Sequence, residues 1–171
     1  FPADFTLDLA ILVAILPMRL FPNMTVLAPA DEHDLTSMVA WALKHDGPVA
    51  IRYPKAVLES GLSNRFGEDR LPVTVGQCEP LIDGPDGLII GCGSLVGSCL
   101  EAVEELQKEG LNVGLINARF IKPLDKDTLL KRIQMSPWVV SVEENMLQAG
   151  FGSAILEAIH DAAIDTGPIR R

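Results

Sequence analysis

From Gly87 onward, short apolar runs alternate with amphipathic ones, and that order leaves few folds open. "GLIIGCG" (87–93) is an apolar run ending in glycines, as expected of a strand covered on both faces. Ser94 is placed to cap a helix whose Cys99, Ala102, Val103 and Leu106 share one side, with Gly110 to stop it. "LNVGLINA" (111–118) reads as a strand, and "RFIKPLDKDTLLKRIQM" as a loop with Pro123 followed by a helix capped by Asp125. "WVVSVEEN" (138–145) is a strand, and "GFGSAILEAIHDAAID" (150–165) a helix with Ala154, Ile155, Ala158, Ile159 and Ala162 inward. Strand and helix alternating three times predicts an α/β domain: a mainly parallel sheet flanked by helices.

A second unit precedes it. "TVLAP" (25–29) is a β-rich run ended by proline, and Asp31 is a candidate N-cap. Leu35, Met38, Val39, Ala42 and Leu43 then recur at helical spacing before Gly47–Pro48. "PVAIRYP" (48–54) reads as a buried strand parallel to the first, since a helix supplies the crossover. Residues 56–86 mix Gly, Pro, charges and short β patches such as "LPVTVG", and read as a linker carrying a strand or hairpin. The expected organisation is therefore 1–55, a linker at 56–86, and 87–171.

Residues 1–18 form an atypical leader. Its apolar stretch, Leu9 to Met18, is about half of the roughly 20 residues that span a bilayer. Asp4 and Asp8 precede that stretch and no basic segment does, unlike a secretory signal. It reads as a buried helix or strand, or as the product of a cropped start.

Charge and cysteine content narrow the function classes. A net charge of -9 argues against non-specific nucleic-acid binding and against docking on an anionic membrane. Cys78, Cys92 and Cys99 form no C-x-x-C pair, which suits small buried hydrophobes in a reducing compartment such as the cytoplasm. His33, His45 and His160 show no metal-ligand spacing, so no metal site is expected.

The chemistry-bearing residues sit at strand ends, where open α/β sheets present ligands. "AIRYPK" (50–55) puts Arg52 and Lys55 at one such end, and "NARFIKPLD" (117–125) puts Arg119 at another. Two guanidinium groups there would make a permanently charged fork for a phosphate, against the plainer reading of surface arginines paired with local acids. Glu143 and Glu144 in "VEENML" point to different sides of a strand; one is expected to bond a neighbouring loop or partner, the other to face solvent. "GFGS" (150–153) offers a helix N-terminus to an anion, or simply a cap at Ser153. "GCGSLVG" lacks the third glycine of a dinucleotide fingerprint, because Val96 holds that place, and reads as a tight turn.

In this linear order, "PNMTVLAPADEHDL", "GPVAIRYP", "ARFIKPLD" and "VEENMLQAGFGSAILEA" resemble the 1-deoxy-D-xylulose-5-phosphate synthase family over about residues 19–169. That family is transketolase-like and dependent on thiamine diphosphate and magnesium. The resemblance implies the end of a pyrimidine-binding domain, a linker, and a transketolase C-terminal-like domain cut short at its end. It implies the condensation of pyruvate with glyceraldehyde 3-phosphate and loss of CO2, in isoprenoid and thiamine biosynthesis. By motif, Arg52 and Arg119 match the arginines that hold the substrate's phosphate, with Arg19 and Tyr53 as further pocket residues. Of the family's "THxGxxDxxYLR", only Arg19 survives here.

The family's magnesium motif and the glutamate that activates its cofactor fall outside these residues, so no catalytic residue or metal ligand is assigned. The resemblance therefore implies a C-terminal fragment or split subunit, inactive alone, working as a homodimer or with a complementary N-terminal subunit. Its place would be the cytoplasm, or the plastid in a plant or alga. The alternatives are a non-catalytic regulatory module of the same fold and the β-type subunit of another thiamine diphosphate enzyme.

Overall fold

A computed structural model gives the structure of the chain and describes residues 15–53, 61–67 and 70–171. The reading of the leader over 1–14 and the expectation for Lys55 lie outside the described residues.

The first elements are α1 (Ile15–Leu20), β1 (Thr25–Leu27), α2 (Glu32–Ala42) and β2 (Val49–Ile51). Asp31 caps α2 as expected, its Oδ1 accepting from the Asp34 N–H at 2.8 Å. β1 and β2 pair in parallel. The expected apolar stripe of α2 is only partly inward: Met38 is buried, whereas Val39 is 44% and Leu43 84% exposed.

The segment read as a linker contributes a short helix, α3 (Gly61–Phe66), and a strand, β3 (Glu79–Pro85). Next come β4 (Gly87–Cys92), a 3-10 turn at Gly93–Leu95, α4 (Val96–Lys108) and β5 (Val113–Asn117). The remainder is β6 (Phe120–Lys122), α5 (Lys126–Met135), β7 (Val139–Glu143), α6 (Phe151–Asp161) and β8 (Ile169–Arg170).

Five strands form one sheet in the order β3-β5-β4-β7-β8. The pairs β4–β5, β4–β7 and β7–β8 are parallel and β3–β5 is antiparallel. The mainly parallel α/β expectation therefore holds. Side chains alternate across β4: Leu88 and Ile90 join a core with Leu129, Ile133, Phe151 and Ile155, while Ile89 joins Val96, Cys99, Leu100 and Val103. In helix α4 Cys99 and Val103 are buried and Leu106 packs against them as expected, Val96 and Leu100 widen the inward face, and Ala102 is exposed. Ala162 is likewise exposed, because α6 ends at Asp161 and Ala162 is its C-cap.

β6 ties the two units together. It lies inside the expected loop and pairs antiparallel with β1, giving a second sheet in the order β2-β1-β6. The crossing takes one peptide. Ala118 N–H donates to the Gly91 carbonyl in the first sheet at 2.9 Å, and the Arg119 carbonyl accepts from Ala28 N–H in the second at 2.9 Å. Arg119 makes the turn with φ of 53°. Val26 and Ala28 of the second sheet pack into the same core as Ile90, Ile116 and Phe151, so apolar burial holds the sheets together.

Candidate functional site

The C-terminal end of β1 gathers both arginines singled out in the sequence. Arg52 N–H donates to the Leu27 carbonyl at 2.8 Å, and the Arg119 carbonyl accepts from Ala28. Their backbones thus flank one strand end, as the strand-end argument requires. Their side chains then find different partners.

Arg119 is buried, at 1% exposure. Its Nη2 lies 2.9 Å from both Asp34 Oδ1 and Glu79 Oε1, and its Nη1 donates to the Leu71 carbonyl at 2.7 Å. Arg70 enters the same cluster, donating to Asp31 Oδ2 at 2.6 Å, to Asp34 Oδ1 at 3.1 Å, and through both Nε and Nη2 to Glu79. Asn117 Nδ2 donates to Asp34 at 2.8 Å and Glu79 at 3.2 Å, and Ser63 Oγ to Asp31 at 3.1 Å. Burial works to lower the Arg70 pKa, but the Glu79 hydrogen bond and the charges of Asp34, Glu79 and Asp31 outweigh it and raise the value. This cluster stitches the start of α2, the segment around Arg70, β3 and the β5–β6 crossing into one unit.

For Arg119 the structure shows a guanidinium engaged by this chain's own acids. Two carboxylates lie 2.9 Å from its Nη2, and its side chain is 2% exposed, whereas the Arg52 side chain turns toward Glu144. A direct phosphate contact would require those acids to give way, and leaving a buried charge unpaired is costly.

Arg52 is the more open of the two, its side chain 11% exposed. Its Nη2 donates to the Glu144 carbonyl and lies 4.0 Å from Glu144 Oε2. Its Nε is buried without a hydrogen-bond partner. Ser94 Oγ donates to the same Glu144 Oε2 at 3.2 Å. The expected Ser94 cap is thus absent: α4 starts through the 3-10 turn, and the hydroxyl reaches across to β7's end instead. Gly93 makes this turn at φ of 72°, a conformation that favours glycine, and lies beside Arg52.

The paired glutamates divide: Glu143 bonds the start of a helix instead of a loop, and Glu144, half exposed, accepts from Ser94 near Arg52. Glu143 accepts from Phe151 and Gly152 N–H, so the N-terminus of α6 already holds this chain's own carboxylate. Ser153 is not the cap; its hydroxyl donates to the Leu147 carbonyl. Glu144 is 50% exposed.

Arg19 lies elsewhere. It donates to the Ala149 and Gly150 carbonyls at 2.8 and 3.1 Å and pairs with Glu157. With Lys122, Asp125, Lys126 and Asp161 it lines an open cavity of about 500 Å³ that Arg52, Arg119 and Tyr53 do not line. Tyr53 is 56% exposed beside Arg52 in the chain.

Asp31, His33 and Asp34 place ligand-type atoms within 4.8 Å of one another, a grouping that histidine spacing in the sequence does not show. Arg70 already sits on both of those aspartates and Arg119 on Asp34. A magnesium ion with a cofactor diphosphate would have to displace two guanidinium groups there, so these residues do not fit the group. Arg70, Asp34 and Glu79 carried no signal in the sequence, because their partners are far apart along the chain and follow no period. Burial keeps the three thiols protonated: Cys78 is pushed up to about 12, with Asp125 adding to the effect, Cys99 to about 11, and Cys92 upward as well. No helix among the described residues is long and apolar enough to cross a membrane.

Residues 76–170 match the family description "Transketolase, C-terminal domain", and residues 14–60 match "Transketolase, pyrimidine binding domain". The chain is 43% identical over 144 residues to a 1-deoxy-D-xylulose-5-phosphate synthase of Halothermothrix orenii, covering 84% of this chain and 22% of that protein. It is 37% identical over 155 residues to 1-deoxy-D-xylulose-5-phosphate synthase 2 of Geobacter sulfurreducens, covering 90% and 24%. It thus spans less than a quarter of the length of these curated relatives. Among solved structures it is similar to a split gene transketolase described as an inactive beta4 tetramer, with a TM-score of 0.83 and 27% identity, covering 93% of this chain and 51% of that one. A Pichia stipitis transketolase shares the fold, with a TM-score of 0.58 and 16% identity over 92% of this chain and 22% of its own.

Proposed function

Because the chain belongs to the transketolase family, through that family's C-terminal and pyrimidine-binding domains, we propose that it is the C-terminal part of a 1-deoxy-D-xylulose-5-phosphate synthase. The observation that carries this reading is the identity of 37% and 43% to such synthases over most of the chain. In this reading the whole enzyme condenses pyruvate with glyceraldehyde 3-phosphate and releases CO2. The part described here contributes the phosphate-holding strand end at Arg52. The Arg70–Arg119 ion cluster fixes the position of that end.

Thiamine diphosphate and magnesium belong, in this reading, to the upstream cofactor-binding part of the enzyme, carried on the same polypeptide or on a complementary subunit. The acid cluster here is already occupied by two arginines, which supports that division. The split-gene relative, named as inactive when assembled from its β chains, supports the expectation that the present chain is inactive alone. The three free, buried cysteines of this chain suit a reducing compartment, the cytoplasm in this reading.

The test is reconstitution. The purified chain, given both substrates, thiamine diphosphate and magnesium, should release no CO2. Adding a polypeptide made of the upstream three-quarters of a relative should start turnover. Turnover by the chain alone would refute the division of labour, and tight binding without turnover would favour a regulatory module instead.

A further inference from the structure

Arg52 is unusual in what it lacks. Its side chain is almost nine-tenths removed from water, yet the hydrogen bond it makes is to the Glu144 carbonyl, a neutral acceptor. Among the described residues the nearest carboxylate oxygen stands at 4.0 Å, outside hydrogen-bond range, and the buried Nε, like that of Arg119, has no partner. A guanidinium carries five N–H donors and loses much of its hydration here. A buried charge so lightly paired is stabilised further by any anion that comes closer.

Glu144 shows where such an anion would sit. Its Oε2 accepts from the Ser94 hydroxyl at 3.2 Å, at the turn that begins α4, and stands 4.0 Å from the Arg52 guanidinium. Gly93 leaves the backbone open on the Arg52 side. The carboxylate is half exposed, so it can swing into solvent without unpacking a core.

We propose that Arg52, Ser94 and the Gly93 turn form a site for a phosphate-class oxyanion, and that Glu144 is its internal competitor. Ser94 then joins Arg52 as a phosphate ligand, and Glu144 sets the affinity by occupying the site when no phosphate is present. This inference rests on the reading of Arg52 as the phosphate-holding arginine and adds two residues and a means of control to it. A phosphate brings more oxygens than a carboxylate, and reaches the guanidinium edge and the hydroxyl together.

The experiment titrates the full 171-residue chain with inorganic phosphate, following amide shifts by NMR and heat by calorimetry. Glu144→Gln keeps the shape and removes the charge; it should tighten phosphate binding about fivefold. Ser94→Ala should weaken it about fivefold, the loss of one hydrogen bond. Arg52→Gln should abolish it. If phosphate binds and Arg52→Gln removes it but Glu144→Gln leaves the affinity unchanged, the competitor is refuted and the Arg52 reading stands. If phosphate binds none of the proteins, Glu144→Gln included, both are refuted.

Discussion

Glu143 closes the amino end of the helix that begins at Phe151: its two carboxylate oxygens accept from the Phe151 and Gly152 N–H groups at 2.8 and 2.7 Å. A strand end and a helix start are thereby locked eight residues apart in sequence, and two of the helix's orphan donors are satisfied by one anion.

Glu143→Ala should therefore cost about 2 kcal/mol, the upper range for a cap, because two bonds and a favourable charge at the helix dipole are lost together. Glu143→Gln keeps one good acceptor and should cost about half as much. Urea unfolding followed by circular dichroism checks both, and an unchanged midpoint for the alanine variant would contradict the assignment.

The thiols should be silent in the native chain. Cys99 titrates near 11 and Cys78 near 12, both raised chiefly by burial. A free cysteine titrates at about 8.5. Ellman's reagent at pH 8 should label none of the three at once, and all three after denaturation. The raised values also set a sign. Above about pH 8.5 the unfolded thiols ionise while the folded ones stay neutral, so stability should fall there and fall less in a triple alanine or serine variant. Rapid native labelling would show that the sulfurs are reachable.

Asp125 makes the opposite pH statement. Burial pushes its pKa up, yet the backbone N–H groups of Thr128 and Cys78, each at 3.0 Å, bring it below the usual aspartate value. Its folded pKa being lower than the unfolded value of about 3.9, the stabilisation is complete above that value and disappears as pH falls through the folded one. Wild type and Asp125→Asn should differ by about 1 kcal/mol or less from pH 7 to 5, and the difference should shrink as pH falls below the unfolded value and through the folded one. A gap that persists in acid would trace the effect to geometry, not charge.

What the sequence makes legible follows from range along the chain. β4, β5, β7, α5 and α6 announce themselves because each is long enough to show a period and is bounded by Gly, Pro or a capping Asp. β6 shows none: three residues cannot display alternation, and its partner β1 lies some ninety residues away. The same limit hides the ion cluster. Asp31 is readable as a cap, but nothing local says that its other oxygen meets Arg70. Arg52 and Arg119 were legible as strand-end residues, and both strand ends do flank β1. Which way each side chain turns depended on burial: the acids of α2 and β3 capture Arg119, and Arg52 is left facing Glu144.

The cluster around Arg70 yields the largest expected effect. Asp31, Asp34 and Glu79 are 0 to 3% exposed in their side chains, and Arg70 and Arg119 each 2%. Removing one guanidinium leaves three buried carboxylates against a single positive charge, and breaking such a buried pairing typically costs about 3–5 kcal/mol. Arg70→Met and Arg119→Met should each lower stability by that amount. The double variant should lose less than the sum, since both arginines serve Asp34 and Glu79. Replacing Asp34 and Glu79 by Asn and Gln together with Arg119→Met should recover part of the loss, because fewer charges are then stranded. Additive losses in urea unfolding would mean that the two arginines act separately and that the cluster is not one unit.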